Sequence, residues 1–107
     1  MSKEEFISIE EAIKKGSGKV AVRGWVYRER GSNQVKFIVL RDSTNIIQCV
    51  FEKVKFEKQW NEIDKLQIES SLMVWGKIKE DKRAPTGYEI SAEKIEIVGV
   101  SDSFPIN

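Results

Sequence analysis

The sequence predicts a small all-β protein in which five strands close into a barrel, accompanied by two helices. Five segments are rich in apolar and β-branched residues at strand spacing, and short polar loops separate most of them. Gly24 lies inside the first segment, where it allows a bulge or sharp bend, so that one strand serves two parts of a sheet. Between the third and fourth segments the apolar residues change to helical spacing.

Composition limits the domain count and the possible chemistry. The chain has 107 residues, 40% hydrophobic and 33% charged, which suits one globular domain spanning 1–107. It has no histidine and one cysteine, Cys49, so catalysis by an imidazole is excluded, and the shortage of ligands argues against a zinc site, which would have only Cys49 and carboxylates. No pair of carboxylates stands out, which makes an independent enzyme the least favoured interpretation. Without a membrane-length apolar run or a secretory signal, we expect a cytoplasmic protein with no membrane contact.

A short helix is predicted within a lead-in at 1–17. Ser8 and Glu11 fit the S-x-x-E capping box, and Gly16 is a suitable stop after two lysines. The following "GSGK" lacks the earlier glycine of a phosphate-binding loop, and a valine stands where that motif needs Ser or Thr. We therefore expect a flexible turn that leads into the first strand.

The remaining elements follow in a recognisable order. Strands are expected at about 19–29, 34–41, 46–52, 71–79 and 88–98. The stretch at 55–66 carries a helical apolar stripe that suits core packing: Phe56, Trp60 and Ile63. The order β-β-β-α-β-β with a bent first strand is that of the OB-fold. This is a five-stranded Greek-key barrel that binds oligonucleotides or oligosaccharides on its second and third strands.

Side-chain alternation predicts one shared outer surface. Gln48 alternates with an apolar set in the third strand that suits the barrel interior, so Gln48 points outward. Phe37 in the second strand and Glu89 in the fifth alternate with inward apolar residues in the same way. We expect the ring, the amide and the carboxylate to lie together.

This combination suits an unpaired base. A base can stack on Phe37, which contributes roughly 1–3 kcal/mol. Gln48 offers a donor and an acceptor, and Glu89 accepts, as the imino N–H of uracil requires. Basic residues near this surface are expected to contact phosphates: Arg28, Arg30 and Lys36. The net charge of +1 adds little support for a polyanion, and binding of a sugar or a protein stays open from the pattern alone.

Two longer stretches add a family resemblance. The run "VAVRGWVYRERGSNQVKFIVLRDSTNIIQCVFEK" resembles the anticodon-binding domain of class IIb aminoacyl-tRNA synthetases, the aspartyl, asparaginyl and lysyl group. The stretch "RAPTGYEISAEKIEIVGVSDSFPI" is most similar to the asparaginyl members, with archaeal-type aspartyl enzymes next. The likeness covers nearly the whole chain and is weak before Gly18. It implies an OB-fold that binds the anticodon loop of a tRNA, with tRNA(Asn) as the expected partner.

The resemblance also implies roles for single residues. Phe37 corresponds to the family residue that stacks on the middle anticodon base, Gln48 to the one that reads it as uracil, and Glu89 to the carboxylate that joins it. Arg30 corresponds to the arginine of the first strand, whereas Glu29 stands where many relatives have a basic residue.

The loop at 81–87 resembles the family segment that senses the third anticodon base. Arg83, Ala84 and Pro85 look like the asparaginyl version, which would tolerate U at that base. Asparagine and aspartate anticodons differ only there, so the assignment to one amino acid depends on this loop.

The catalytic motifs of the family are not in this sequence and would follow a hinge that begins at 101–107. The resemblance implies that this domain needs no cofactor, whereas a full-length parent would use ATP and Mg²⁺ to attach asparagine to tRNA(Asn) and would be a homodimer. Two alternatives stay open. One is the anticodon-binding domain of an aspartyl enzyme that accepts both tRNAs. The other is a freestanding OB-fold module that binds single-stranded nucleic acid or a protein.

Overall fold

A computed structural model describes residues 5–99 and shows a closed barrel of five strands. The strands are β1 (Gly18–Gly31), β2 (Val35–Arg41), β3 (Ile46–Glu52), β4 (Ser71–Glu80) and β5 (Tyr88–Gly99). Their order around the barrel is β1-β2-β3-β5-β4, and every pair is antiparallel except β3 with β5. The predicted OB-fold is confirmed, with each strand boundary within two residues of its expected place. The hinge expected at 101–107 lies outside the described residues.

β1 is the longest strand because it pairs with two neighbours. Its first part lies along β4 and its last part along β2, and both pairings include Trp25. A Cβ on Gly24 would collide with the carbonyl oxygen of Arg41, so this close approach requires glycine. The predicted change of partner is therefore observed. The register shift of a β-bulge, however, lies at 26–28 rather than at Gly24, and it leaves Tyr27 unpaired and exposed.

The barrel interior is filled by the alternate side chains that the sequence pattern selects. All of the following are fully buried: Ile38, Leu40, Ile47, Cys49, Phe51 and Ile90. Burial raises the pKa of the Cys49 thiol to about 12, and the negative charge of Glu89 adds to the effect. The thiol is therefore protonated at neutral pH and part of the apolar core.

α1 (Ile9–Lys15) has the predicted ends. The Ser8 hydroxyl accepts the Glu11 N–H at 3.0 Å, and the Glu11 carboxylate accepts the Ser8 N–H at 3.0 Å, which completes the capping box. Gly16 ends the helix in the left-handed conformation at φ 73°. The helix packs on the barrel through Ile9, which is fully buried.

Asp42 ties the turn between β2 and β3 to the start of α1. Its carboxylate accepts the backbone N–H of Ile9 and Thr44 at 2.8 Å and that of Asn45 at 3.1 Å. Burial alone would raise the pKa of Asp42, but the hydrogen bonds from Thr44, Ile9 and Asn45 outweigh it and lower the pKa below its usual value. The folded protein therefore favours the ionised carboxylate.

The connection between β3 and β4 is only partly α-helical. Two 3₁₀ turns, Lys53–Lys55 and Glu57–Gln59, precede α2 (Trp60–Asp64). None of these three helical segments has a side-chain cap, and none is longer than five residues. The predicted apolar stripe is nevertheless buried, at Phe56, Trp60 and Ile63. No helix in the described part of the chain is long and apolar enough to cross a membrane.

Candidate nucleic-acid interface

One side of the barrel holds an open pocket of about 520 Å³, bordered by β2, β3 and β5, the end of β1 and the loop at 81–87. Strand register explains why the predicted side chains meet there. Phe37 lies opposite Arg30 on β1, and Gln48 lies opposite Glu89 on β5. The pocket therefore brings together three residues chosen by alternation, and it adds Arg30 and Arg83.

Gln48 and Glu89 form a bonded pair in the pocket wall. The Gln48 amide Nε2 donates to Glu89 Oε1 at 3.2 Å, and Lys79 Nζ lies 3.6 Å from Glu89 Oε2. Gln48 is 9% exposed and Glu89 is 8% exposed, so both are more buried than ordinary surface polar residues. The pair leaves one amide N–H, the amide oxygen and further carboxylate lone pairs for a ligand. Its low exposure strengthens any hydrogen bond made there.

Phe37 offers its ring to the pocket with one face already covered. The guanidinium carbon of Arg30 lies 4.3 Å from the ring centroid, which is a cation–π contact. A guanidinium is planar, like a nucleobase, and it stacks on aromatic faces. The contact therefore covers a ring face on which a planar group such as a base could stack.

The loop between β4 and β5 is held at its base and exposed at its tip. The Asp81 N–H donates to the Gly87 carbonyl at 2.9 Å, and Ala84, in the middle of the loop, is buried. The backbone N–H and the guanidinium of Arg83 bond the Asp81 carboxylate and lower its pKa. Arg83 lines the pocket, whereas the exposed Pro85 does not.

The structure does not place Lys36 where a phosphate contact was expected. Lys36 is 4% exposed because it shares the inward face of β2 with Ile38. Its amino group pairs with Glu29 at 2.7 Å and donates to the Asp64 carbonyl at 3.1 Å. Lys36 therefore fastens the end of β1 to α2. The ion pair also gives Glu29 a structural role. Many members of the resembled family have a basic residue at this position.

Arg28 lies beside the pocket rather than in it, with its guanidinium carbon 5.3 Å from the Tyr27 ring centroid. Several further wall residues were not predicted from the sequence: Gln34, Val35, Val50, Glu52 and Val54. Val50 shares the alternation of Gln48, so the sequence contained a signal for it. Val54 lies in the first 3₁₀ turn, where no strand pattern applies.

Comparison with known proteins places these features in context. Residues 20–98 match the family model described as OB-fold nucleic acid binding domain. The asparagine–tRNA ligase of Thermococcus kodakarensis is 49% identical over 88 residues, which cover 82% of this chain and 20% of that protein. The asparagine–tRNA ligase of Thermoplasma acidophilum is 45% identical over 104 residues, which cover 94% of this chain and 24% of that protein.

A solved structure agrees with the sequence matches. The crystal structure of asparaginyl-tRNA synthetase from Pyrococcus horikoshii, complexed with asparaginyl-adenylate, has a TM-score of 0.85 and 36% identity to this chain. The match covers 96% of this chain and 24% of that one. The chain thus spans about a fifth to a quarter of the length of the curated relatives it matches.

Proposed function

The chain belongs to the family of OB-fold nucleic acid binding domains, and from this premise we propose that it is the tRNA anticodon-binding domain of an asparaginyl-tRNA synthetase. The observation that carries the proposal is the convergence of Phe37, Gln48 and Glu89 in one pocket beside Arg30 and Arg83. The names of the similar proteins, asparagine–tRNA ligases at 45% and 49% identity, support the choice of amino acid.

The pocket matches the edge of a uracil. A uracil stacked on Phe37 presents N3–H to the Glu89 carboxylate and a carbonyl oxygen to the free N–H of Gln48. A cytosine in the same place would turn the N3 lone pair toward a carboxylate that can only accept. Lys79, 3.6 Å from Glu89, partly offsets a negative charge that would otherwise repel the RNA backbone. We assign the middle base of the anticodon to this pocket.

Arg30 changes partner when the base arrives. In the free protein it covers Phe37, so a base that stacks on that ring face displaces the guanidinium. The released group lies at the pocket edge, where it meets the phosphates of the anticodon loop together with Arg83, which also lines the pocket. Exchange of a planar cation for a planar base keeps the ring covered in both states.

The loop at 81–87 is proposed to face the third anticodon base. Arg83 lines the pocket, and Pro85 lies two residues further along the exposed tip. Stem-loops that carry GUU and GUC differ only at this base. Stronger binding of GUU supports the asparagine assignment, whereas equal binding of both indicates a domain of an aspartyl enzyme that accepts both tRNAs.

The match covers only 20% and 24% of the two asparagine–tRNA ligases, so the reaction chemistry is proposed for a longer polypeptide. We propose that such a protein attaches asparagine to tRNA(Asn) with ATP and Mg²⁺, as a cytoplasmic homodimer. Within residues 5–99 no group of three or more His, Cys, Asp or Glu side chains is placed to hold a metal ion.

Binding of a GUU anticodon stem-loop tests the proposal. Phe37→Ala removes the stacking ring, and the loss of roughly 1–3 kcal/mol corresponds to about 5- to 150-fold weaker binding by fluorescence anisotropy. Gln48→Ala removes one base contact and is expected to weaken binding about tenfold. Gln67→Ala, an exposed amide outside the pocket, is the matched control and should bind like the wild type. If Phe37→Ala and Gln48→Ala both bind like the wild type, the proposed site is wrong.

The comparison of unrelated anticodons tests the function itself. Equal affinity for stem-loops of any anticodon sequence, with a steep dependence on salt, would identify a general single-strand binder instead. A preference for GUU that depends on Phe37 supports the anticodon-binding function.

A further inference from the structure

Four of the five arginines of this chain lie in or beside the pocket, whereas Arg23 lies over the Phe6 ring where β1 pairs with β4. All five lie on β1, at the end of β2 or in the loop that lines the pocket, at Arg23, Arg28, Arg30, Arg41 and Arg83. The lysines, in contrast, occur in α1, in the connection between β3 and β4 and on every strand except β3. Arginine binds phosphate with a planar fork and stacks on aromatic rings, which lysine does not do. The four guanidinium groups in or beside the pocket therefore suit recognition of planar or phosphate groups.

The β-bulge in β1 builds the part of this face that lies outside the pocket. Because the register shifts between Val26 and Arg28, both Tyr27 and Arg28 are exposed on the outside. The guanidinium carbons of Arg28 and Arg41 lie 5.3 and 5.4 Å from the Tyr27 ring centroid. Trp25 is paired with Arg41 across β1 and β2 and is 45% exposed. We call Trp25, Tyr27, Arg28 and Arg41 the arginine face.

The arginine face continues the pocket along the same two strands. Arg30 and Phe37 form one row of the β1–β2 pairing, and Trp25 and Arg41 form another, four residues away along β2. Four residues of strand span about 13 Å. Between these rows the one carboxylate on β1 and β2 is that of Glu29, whose side chain is 35% exposed and pairs with the buried Lys36 at 2.7 Å. A strand of RNA that leaves the pocket along β1 and β2 therefore meets positive charge and aromatic rings.

We propose that the arginine face is a second RNA-binding site, which holds nucleotides adjoining the anticodon triplet. The proposal rests on the proposed function. Arg28 and Arg41 contact two backbone phosphates, and Trp25 stacks on an unpaired base. Tyr27 is a positioning residue, because its ring lies against both guanidinium groups and keeps them extended over the surface.

A polyanion fits this surface better than a protein does. Two exposed aromatic rings alone would suit a protein partner as well. Here, however, two guanidinium groups lie over one of the rings, and the one carboxylate on the paired strands, that of Glu29, is paired with Lys36. Continuity with the pocket adds a second reason, since one ligand can occupy both.

Neutral replacement of the arginines tests the phosphate contacts. The logarithm of the association constant for the GUU stem-loop falls linearly with the logarithm of the salt concentration. In Arg28→Gln and in Arg41→Gln, the magnitude of this slope should decrease by about 0.7 each. Affinity should fall for every anticodon by the same factor, so that the preference for GUU is unchanged. Lys77→Gln, an exposed lysine on β4, changes the charge equally and should leave the salt slope unchanged.

Conservative replacement separates positioning from folding. Tyr27→Leu should lower the affinity, and Tyr27→Phe should restore it, because phenylalanine keeps the ring without the hydroxyl. A merely structural role of the hydroxyl would leave Tyr27→Phe impaired. In a Trp75→Phe background, Trp25 is the exposed tryptophan of the described chain, and bound stem-loop should protect its fluorescence from acrylamide.

The outcomes distinguish the two proposals. If the wild type prefers GUU but Arg28→Gln and Arg41→Gln keep its full salt slope, and Trp25 stays open to acrylamide, the second site is wrong while the pocket stands. If the wild type shows no preference for GUU and both arginine variants still lower the slope, the anticodon function fails while RNA binding on the arginine face is supported.

Discussion

Glu89→Gln is the sharpest test of how the pocket selects its base. The change keeps the size and shape of the side chain and replaces an acceptor-only carboxylate by an amide that can also donate. The wild-type carboxylate accepts from Gln48 at 3.2 Å, and an amide oxygen at residue 89 can accept the same bond. The fold is therefore expected to persist, while the hydrogen-bonding pattern offered to the base changes.

The expected magnitude follows from the hydrogen bond to N3. A bond to a charged acceptor contributes about 1.5–3 kcal/mol, and a bond between neutral groups about 0.5–1.5 kcal/mol. Glu89→Gln should thus weaken binding of a GUU stem-loop about fivefold to tenfold. Loss of the Lys79 pair adds little, because that lysine side chain is 62% exposed.

Binding of a GCU stem-loop should change in the opposite direction. In the wild type the cytosine N3 lone pair faces a carboxylate, whereas the amide of Glu89→Gln can donate to it. With a gain of similar size for cytosine, the preference for uracil over cytosine should fall about 25-fold to 100-fold.

Anisotropy titrations of the two stem-loops at one pH and one salt concentration measure this ratio. Glu93→Gln removes the same charge from an exposed position of β5 and serves as the control. Equal weakening of both stem-loops in Glu89→Gln, with the ratio unchanged, would refute the assignment of Glu89 as the group that contacts N3.

Three further predictions concern stability. Asp42→Asn should lower the free energy of unfolding by about 1–2 kcal/mol at neutral pH. Because the pKa of Asp42 is lowered in the folded state, the difference between wild type and variant should be complete above about pH 4 and disappear as the pH falls through that lowered pKa. Urea titrations at a series of pH values measure this difference. In Gly76→Ala the new Cβ would collide with the Ser91 carbonyl, so thermal melting should show that the free energy of unfolding falls by about 1–3 kcal/mol. In Gly87→Ala, where φ is +84° but the space is open, the expected loss is about 1 kcal/mol. Equal losses in the two variants would contradict the steric argument. The raised pKa of Cys49 predicts that stability decreases as pH rises from about 9 toward 12, and that a thiol reagent labels the protein only at its unfolding rate; fast labelling of the folded protein would show that the thiol is accessible.

The strands and the central site could be predicted from sequence because each strand has one buried face. In β3, Cys49 had to face the same side as its apolar neighbours, so Gln48 had to face the other side. Phe37 and Glu89 were placed by the same rule. Their meeting in one pocket then depended only on the strand order of the OB-fold, which the order of elements indicates.

Lys36 shows where that prediction gave too much weight to charge. Its alternation with Phe37 places it on the inward face, yet its amino group was expected in solvent. At the end of a barrel a long side chain can bury its stem and still reach polar partners, here Glu29 and the Asp64 carbonyl. Those partners lie on other elements, so the sequence contained no local signal for them.

Arg28 was expected to contact phosphate, but its grouping with Tyr27 and Arg41 could not be predicted because it depends on pairing between two strands. The bulge that exposes Tyr27 beside Arg28 is a shift of register between β1 and β2, and alternation along β1 alone would place Arg28 inside. Arg41 approaches Tyr27 only after β2 has paired. Local patterns therefore identify the residues of a strand, whereas the contacts across strands require the structure.

A net charge of +1 is compatible with RNA binding because an RNA strand senses charge locally. At physiological salt, charges are screened over about 8 Å, whereas the molecule is 30 Å across its shortest axis. Carboxylates on the far side of the barrel therefore contribute little to the potential over Arg28 and Arg41. It follows that Glu93→Gln and Lys77→Gln, which change the net charge in opposite directions, should both leave the salt slope close to that of the wild type. A slope that follows net charge instead would show that the binding is diffuse and that the arginine face has no special part in it.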